Sequence, residues 1–333
     1  MERDFHYYAI AVLARGAGLS EDQALTLAYA SQLVDDATNG DPMRLGEDDI
    51  VFEPVLSAHV GLRAYDWSVQ KRVYMPFHFI PPKPGMKPGD AWVVQADSVF
   101  ARDLVARAVR SGAEGGNGPF SAKTLCTIGI ALHTYADTWA HEGFSGRHHP
   151  ENNVVGLEVK RNGKWERLAL EELSLNFWLP EIGHAEAGTY PDLPHIWWRR
   201  HQKTGSWLER NNPEAFRRAA KAIFEILFAW ADKTDSAESG HPARMSWEDA
   251  APRIDRLLRK DGSKEDRCAA WKGEFSDLFN GDWSYRENHW EREARELLHP
   301  STEEGINAFY NSLWVTWHRA ALRQRHYVLE QLL

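Results

Sequence analysis

The sequence predicts a mainly α protein, a multi-helix unit with one small β-hairpin insertion. Apolar residues recur at three- and four-residue spacings along most of the chain, and helix-start and helix-stop residues bracket those stretches. A single Asn162-Gly163 step, flanked by alternating residues, marks the exception.

The elements follow in order. His6, Ile10, Leu13 and Ala17 fall on one stripe of a helix over 4–17, which Gly18 ends. Ser20, followed by Glu21 and Asp22, starts a second helix that runs to about Ala37. Residues 38–57 read as an irregular connection with short strands, and 76–90 as a proline-rich loop. A helix over 94–111 leads through a glycine-rich turn at 112–118 to a long helix from Ser121 to Gly143. The hairpin spans about 153–169, because Asn-Gly suits a type I′ turn. Further helices are expected near 171–178, 213–232, 247–260, 264–280, 285–298 and 303–332. No linker separates the halves, so 1–204 reads as a metal-binding core and 205–333 as a helical part packed on it in one continuous unit.

Composition narrows the function classes. The chain has 333 residues, 43% of them hydrophobic and 26% charged, as in a water-soluble globular domain. A net charge of −9 argues against a nucleic-acid-binding surface or an anionic membrane as main partner; nucleic acid enters only as a substrate. Two cysteines, Cys126 and Cys268, form no motif, and no apolar run reaches the roughly 20 residues of a membrane span. The amino terminus lacks the pattern of a secretory signal, so the expected compartment is the cytoplasm. Fifteen His and fifteen Trp are the compositional oddities.

The chemistry concentrates in the long helix, where His133, Asp137 and His141 stand at i, i+4 and i+8. Four residues turn a helix by about 400°, so the three share one face, with the outer two roughly 12 Å apart. That is too far for one ion, whereas each His can meet Asp137 at a separate ion, since a carboxylate has two oxygens to share. The spacing suits a multinuclear site with a shared Asp. Other imidazoles sit in apolar settings: His6 on the first helix, His59 in Leu56–Leu62, His78 in the apolar run 75–81 and His184 after Gly183. Each taken alone reads best as a hydrogen-bonded core residue; together, with Asp35, Asp36 and Asp192, they form the ligand set of zinc, manganese or iron. Asp35 and Asp36 end the second helix at the negative pole of its dipole, an unfavourable place without a cation. His148, His149, His318 and His326 read as surface or packing residues, Arg147 as a surface cation, and Trp139 and Trp197–Trp198 as core aromatics.

Several of these segments together carry a resemblance. They are Asp4-Phe5-His6, Ala28 to Ala37, Ser57-Ala58-His59, Pro76-Phe77-His78-Phe79, His133 to Phe144, and Gly183-His184 with Tyr190-Pro191-Asp192. Residues 4–200 resemble a bacterial family known mainly as a domain of unknown function. More distantly, the chain is similar to the zinc-dependent phospholipase C and single-strand nuclease superfamily, whose members hold three zinc ions with His, Asp and the amino terminus. That resemblance implies a phospholipase C/nuclease-like helical domain and a phosphoester hydrolase with two or three zinc ions. It implies His133, Asp137, His141 and His6 as ligands, with Asp137 bridging, and Asp36 or Asp35 as the acidic ligand that assists catalysis. His59 or His78 would be its partner, and His184 with Asp192 or Glu186 would complete the set. Two departures stand out. The second His lies four residues after the Asp, where the superfamily has six, and the chain starts Met1-Glu2, where secreted members use a processed Trp. A third ion would then need Asp4 in place of the amine.

The expected chemistry is therefore metal-dependent hydrolysis of a phospholipid, nucleotide or phosphorylated metabolite, with Asp35 or Asp36 accepting the proton. The alternatives are an iron or manganese oxidoreductase on the same ligands, or a non-catalytic metal-stabilised binding protein. Trp314, Trp317 and Tyr310 in the last helices would pack on the core or form a homodimer face.

Overall fold

Around one helix, almost wholly buried, the rest of the chain is arranged. This computed structural model describes residues 1–333 except 46–49, 59–61, 115–117, 169–180, 202–204, 235–243, 299–301 and 333. The expected helix at 171–178 and His59 thus lie outside the described residues.

A wide helical turn, Asp4–Ala9, runs into α1 (Ile10–Gly16), and α2 (Glu21–Asp36) follows. Ser20 caps α2 in a reciprocal pair with Gln23, satisfying two of its free N–H groups. Next come β1 (Met43–Leu45), β2 (Ile50–Phe52), α3 (Val99–Glu114) and α4 (Ala122–Ala140), the central helix, capped by Ser121. After the sheet strands described below, α5 (Asn212–Thr234), α6 (Trp247–Leu258), α7 (Lys264–Glu274), α8 (His289–Glu296), α9 (Glu303–Asn311) and α10 (Leu313–Leu332) complete the chain. Residues of both expected parts, among them Phe5, Leu132, Trp271 and Trp317, share one hydrophobic core. None of the described helices is long and apolar enough to cross a membrane.

The expectation of a nuclease-like, mainly α domain with one hairpin is corrected. Helices make up about 58% of the structure, and two antiparallel sheets make it a mixed α/β fold. One is the small β1–β2 pair; the other has four strands in the order β4-β3-β5-β6. Its hairpin, β3 (Gly156–Arg161) and β4 (Lys164–Arg167), turns at Asn162-Gly163, both in the left-handed region. Strands β5 (Trp197–His201) and β6 (Trp207–Asn211) extend it, with Val159 opposite Trp198 and Arg199 opposite Glu209. Hydropathy conceals β5 because one of its inward residues is Arg200, fully buried over the Phe144 ring. The polar–apolar alternation that announces a strand is therefore absent.

Smaller departures have local causes. Asp97 takes a positive φ and Ser98 caps at Ala101, so α3 starts five residues later than expected. Trp67–Val69, Gln70–Tyr74 and Met75–Phe77 form consecutive helical turns, which Pro76 hides in the sequence, and His78 follows their end instead of lying in an extended run. Ser312 caps a new helix at Val315, dividing the expected 303–332 in two.

Candidate metal centre

The site is built on the contact between α2 and α4. A Cβ on Gly129 would stand 2.4 Å from the Leu27 carbonyl oxygen and 2.9 Å from Ala30 Cβ, so glycine lets the two backbones touch. One turn further along α4 comes His133, and two turns beyond Leu27 on α2 comes Asp35; Asp35 Oδ1 lies 3.6 Å from His133 Nε2. The segment bearing His78 is pinned from both sides. Thr134 Oγ1 donates to Phe77 O at 2.9 Å, and Gln324 of α10 donates to Pro76 O at 2.9 Å. At the carboxyl end of α4, Arg200 donates to Gly143 O at 2.6 Å, and Arg210 donates to Trp139 O and pairs with Glu142. These cations from the sheet cap the free carbonyls beside His141. Asn212 holds the loop carrying Asp192, donating to Tyr190 O at 2.7 Å and Leu193 O at 2.9 Å.

Asp137 is the hub, only 1% exposed. Its Oδ1 lies 2.7 Å from the Met1 amine and 3.0 Å from His6 Nε2; its Oδ2 lies 3.1 Å from His78 Nδ1, 3.4 Å from His133 Nε2 and 3.6 Å from His141 Nδ1. Asp192 is a second hub. Its Oδ1 lies 3.0 Å from both the Met1 amine and His141 Nε2, and its Oδ2 lies 3.2 Å from His184 Nε2. His6 and His133 stack with ring centroids 3.7 Å apart. Among the described residues three groups result, each with its ligand atoms within 4.8 Å of one another: His6, His133 and Asp137; Asp35, His78 and His133; His141, His184 and Asp192. Each could hold a metal ion.

The donor chemistry fits such an ion. His78 Nε2 lies 3.1 Å from Ser57 O, His141 Nδ1 2.9 Å from His78 O, and His184 Nδ1 2.8 Å from Gly188 O. Each carbonyl accepts from an N–H, which in a neutral ring leaves the other nitrogen as a lone pair. Those lone pairs point at carboxylate oxygens of Asp137 and Asp192 and, for His78, also at His133 Nε2, 3.3 Å away. Acceptor facing acceptor is unfavourable unless a cation lies between them, either a metal ion or a proton on the ring, and a carbonyl on the far nitrogen is the usual companion of a ligating imidazole.

Electrostatics point the same way. Burial alone would lower the Met1 amine, but Asp137, Asp192 and Asp35 outweigh it and raise it to about 11. Burial would raise both carboxylates; instead, His141, the amine, His133 and His6 hold Asp137 well below the usual range, and His184, the amine and His141 do the same for Asp192. His6, buried beside His133 and the amine, is pushed down to about 4. His184 is lowered by burial despite Asp192, while Asp137 overcomes burial and raises His78. The surroundings of Asp137 and Asp192 thus favour positive charge, while burial keeps His6 and His184 neutral and able to ligate.

A family model described as a family of unknown function (DUF6765) matches residues 1–332. The chain belongs to this family. No curated protein and no solved structure matches it.

In this DUF6765 chain the remaining sequence candidates sit apart from the cluster. Asp36 accepts from Gln32 Nε2 at 3.2 Å and from the Tyr285 hydroxyl, and of the acid pair it is Asp35 that faces the imidazoles. Asp4, the alternative to the amino terminus, accepts from Arg267 at 2.7 Å, and it is the Met1 amine that stands beside Asp137. Glu186 accepts from Val154 N at 2.7 Å, and Arg147 is paired with Glu151 at 3.0 Å. Sequence reasoning did not find Asn212, Gln324, Arg200, Arg210 or Arg267. Arg200 and Arg210 left one trace each, an Arg-Arg and an Arg-Asn step inside strands, which hydropathy scores as surface, while Arg267 on α7 left none.

Proposed function

We propose that this protein is a metal-dependent hydrolase of phosphoesters, working with a multinuclear zinc-type centre. The observation that carries the reading is the facing of imidazole lone pairs and carboxylate oxygens around Asp137 and Asp192. His6, His78, His133, Asp35 and Asp137 would hold ions on one side, with His141, His184 and Asp192 on the other, and the Met1 amine, on losing its proton as an ion binds, would supply a further donor at both hubs. Five imidazoles without a thiolate, together with shared carboxylates, match zinc in an open hydrolytic site better than a closed structural one. This ligand pattern, amine included, is what resembles the zinc-dependent phospholipase C and single-strand nuclease superfamily.

Divalent ions bound there would supply Lewis acidity, lower the pKa of water towards 7 and offset the charge of a phosphoryl group. The chain's own residues supply the rest. Asp35 is 30% exposed on its side chain and stands beyond hydrogen-bond distance of His133 and His78, so its carboxylate is free to accept a proton from attacking water. Asp137, His133 and His6 are buried and fix the floor of the site, whereas Asp35, His184 and Asp192 reach solvent and lie where a substrate enters.

Hydrolysis of bis(p-nitrophenyl) phosphate by zinc-loaded protein tests the reading. Activity is expected in the parent, with a loss of at least about 100-fold in Asp35→Asn assayed at saturating zinc. A zinc-loaded parent inactive on phosphodiesters and phosphomonoesters alike would overturn it.

A further inference from the structure

We infer that Arg267, on α7 in the C-terminal part, is a positioning residue for the metal centre, holding the Glu2–Asp4 segment so that the Met1 amine and His6 meet Asp137. The inference deepens the proposed metal centre and rests on it.

His78, His141 and His184 each have a backbone carbonyl on the nitrogen that faces away from the carboxylates. His6 has no such anchor: its Nδ1 is buried and without a hydrogen-bond partner, and its ring is held by stacking on His133. Neither the amine nor His6 is therefore aimed by a carbonyl behind it. Both depend on where the first residues of the backbone are fixed.

Arg267 fixes them. It is 2% exposed, and each of its three nitrogens donates: Nε to Asp4 Oδ2 at 2.7 Å, Nη1 to Gly262 O at 2.8 Å, and Nη2 to Glu2. Arg3, between the two acids, turns the other way, pairing with Glu287 at 3.1 Å and lying 4.9 Å over the Tyr285 ring. The consecutive −, +, − of Glu2, Arg3 and Asp4 is thus met from one stretch of the C-terminal part by a single cation, Arg267, on both acids and by one anion, Glu287, on Arg3. Tyr285 of that same stretch donates to Asp36, the neighbour of Asp35. The stretch from Gly262 to Glu287 therefore grips both the amine end and the acid end of the centre.

Stability does not account for this pair. A buried Arg–carboxylate pair gains little over well-packed apolar residues, because desolvation offsets the attraction. What it supplies is direction: a planar fork fixes three acceptors at once, which a lysine ammonium cannot do. Two of those acceptors lie two and four residues before His6.

The experiment uses full-length protein with a free amino terminus, titrated with zinc against a competing chelator and, in parallel, with cobalt(II) followed by visible absorption. The variants are Arg267→Met, Arg267→Lys and Glu2→Gln, with His133→Ala as the control for the centre itself. Arg267→Met is expected to weaken one ion equivalent by about 10- to 100-fold, the range for outer-shell partners of a metal ligand, and to alter part of the cobalt spectrum. Arg267→Lys should fall between it and the parent, and His133→Ala should lose more than one equivalent. A parent with its full complement and an Arg267→Met variant of unchanged affinity and spectrum would overturn the inference while leaving the centre standing. A parent that binds neither ion ends both. If Arg267→Met does not fold, Glu2→Gln decides: weakening of one equivalent supports the inference, and unchanged affinity overturns it.

Discussion

Gly129→Ala probes the site from a distance, since it touches no ligand. The added Cβ would lie 2.4 Å from the Leu27 carbonyl oxygen, where contact between carbon and oxygen normally needs about 3.4 Å. Both obstacles nearest to it are rigid, a backbone carbonyl and the Ala30 Cβ, so α2 and α4 must separate by about 1 Å. Overpacking of this kind costs about 1–3 kcal/mol, equivalent to a fall in Tm of roughly 2–6 °C for a chain of this size. The larger effect is on the site. Separation carries Asp35 away from His133, now 3.6 Å off, and a 1 Å misplacement can lower a rate by about 100-fold. The assays are calorimetric melting and phosphodiester hydrolysis at saturating zinc. A Gly129→Ala protein with unchanged Tm and full activity would refute the claim that this helix contact sets the spacing of the centre.

Asn212→Ala removes the amide that bonds Tyr190 O, Leu193 O and the Trp198 indole, leaving buried polar groups unpaired at a cost of about 2–4 kcal/mol; denaturant unfolding should show this loss, and zinc titration a weaker site at Asp192. His318, buried with Val55 N donating to its Nδ1, is lowered from 6.5 to about 3 by burial first and by Arg325 second. Its depressed folded pKa makes its contribution fully present above pH 6.5 and progressively lost as pH falls towards 3. Between pH 6.5 and 5 that loss is about 2 kcal/mol, and His318→Gln should flatten the parent's pH–stability curve by that amount in matched urea titrations. A two-residue extension before Met1 removes the free amine from between Asp137 and Asp192. Zinc binding by the extended protein should fall by at least one ion equivalent, and an unchanged stoichiometry would remove the amine from the ligand set.

Legibility of the fold and the candidate site varied with the kind of signal. Capped helices were readable because Ser20 and Ser121 announce their starts and periodic apolar stripes follow, and Asn162-Gly163 announced its turn for the same local reason. The four-stranded sheet was not, since β5 buries Arg200 over the Phe144 ring beside Trp198, and this inward cation is satisfied by hydrogen bonds to carbonyls, which breaks the apolar alternation. The spacing of His133, Asp137 and His141 follows from helix geometry alone, so their shared face could be read directly. Choosing between Asp35 and Asp36 could not be done locally: Tyr285 and Gln32, far away or on the same helix, claim Asp36. Exchanging Asp4 for the Met1 amine had the same origin, because the partner that turns Asp4 away, Arg267, is 263 residues distant.

In the proposed centre, Asp137 and Asp192 organise the metal ions. Elemental mass spectrometry on protein with a free amino terminus, purified without chelators, tests it most directly, with Asp137→Asn alongside. Two or three zinc ions per chain are expected in the parent, with a loss of at least one in the variant. A folded parent that carries no metal, and takes up none from added zinc, would contradict the account.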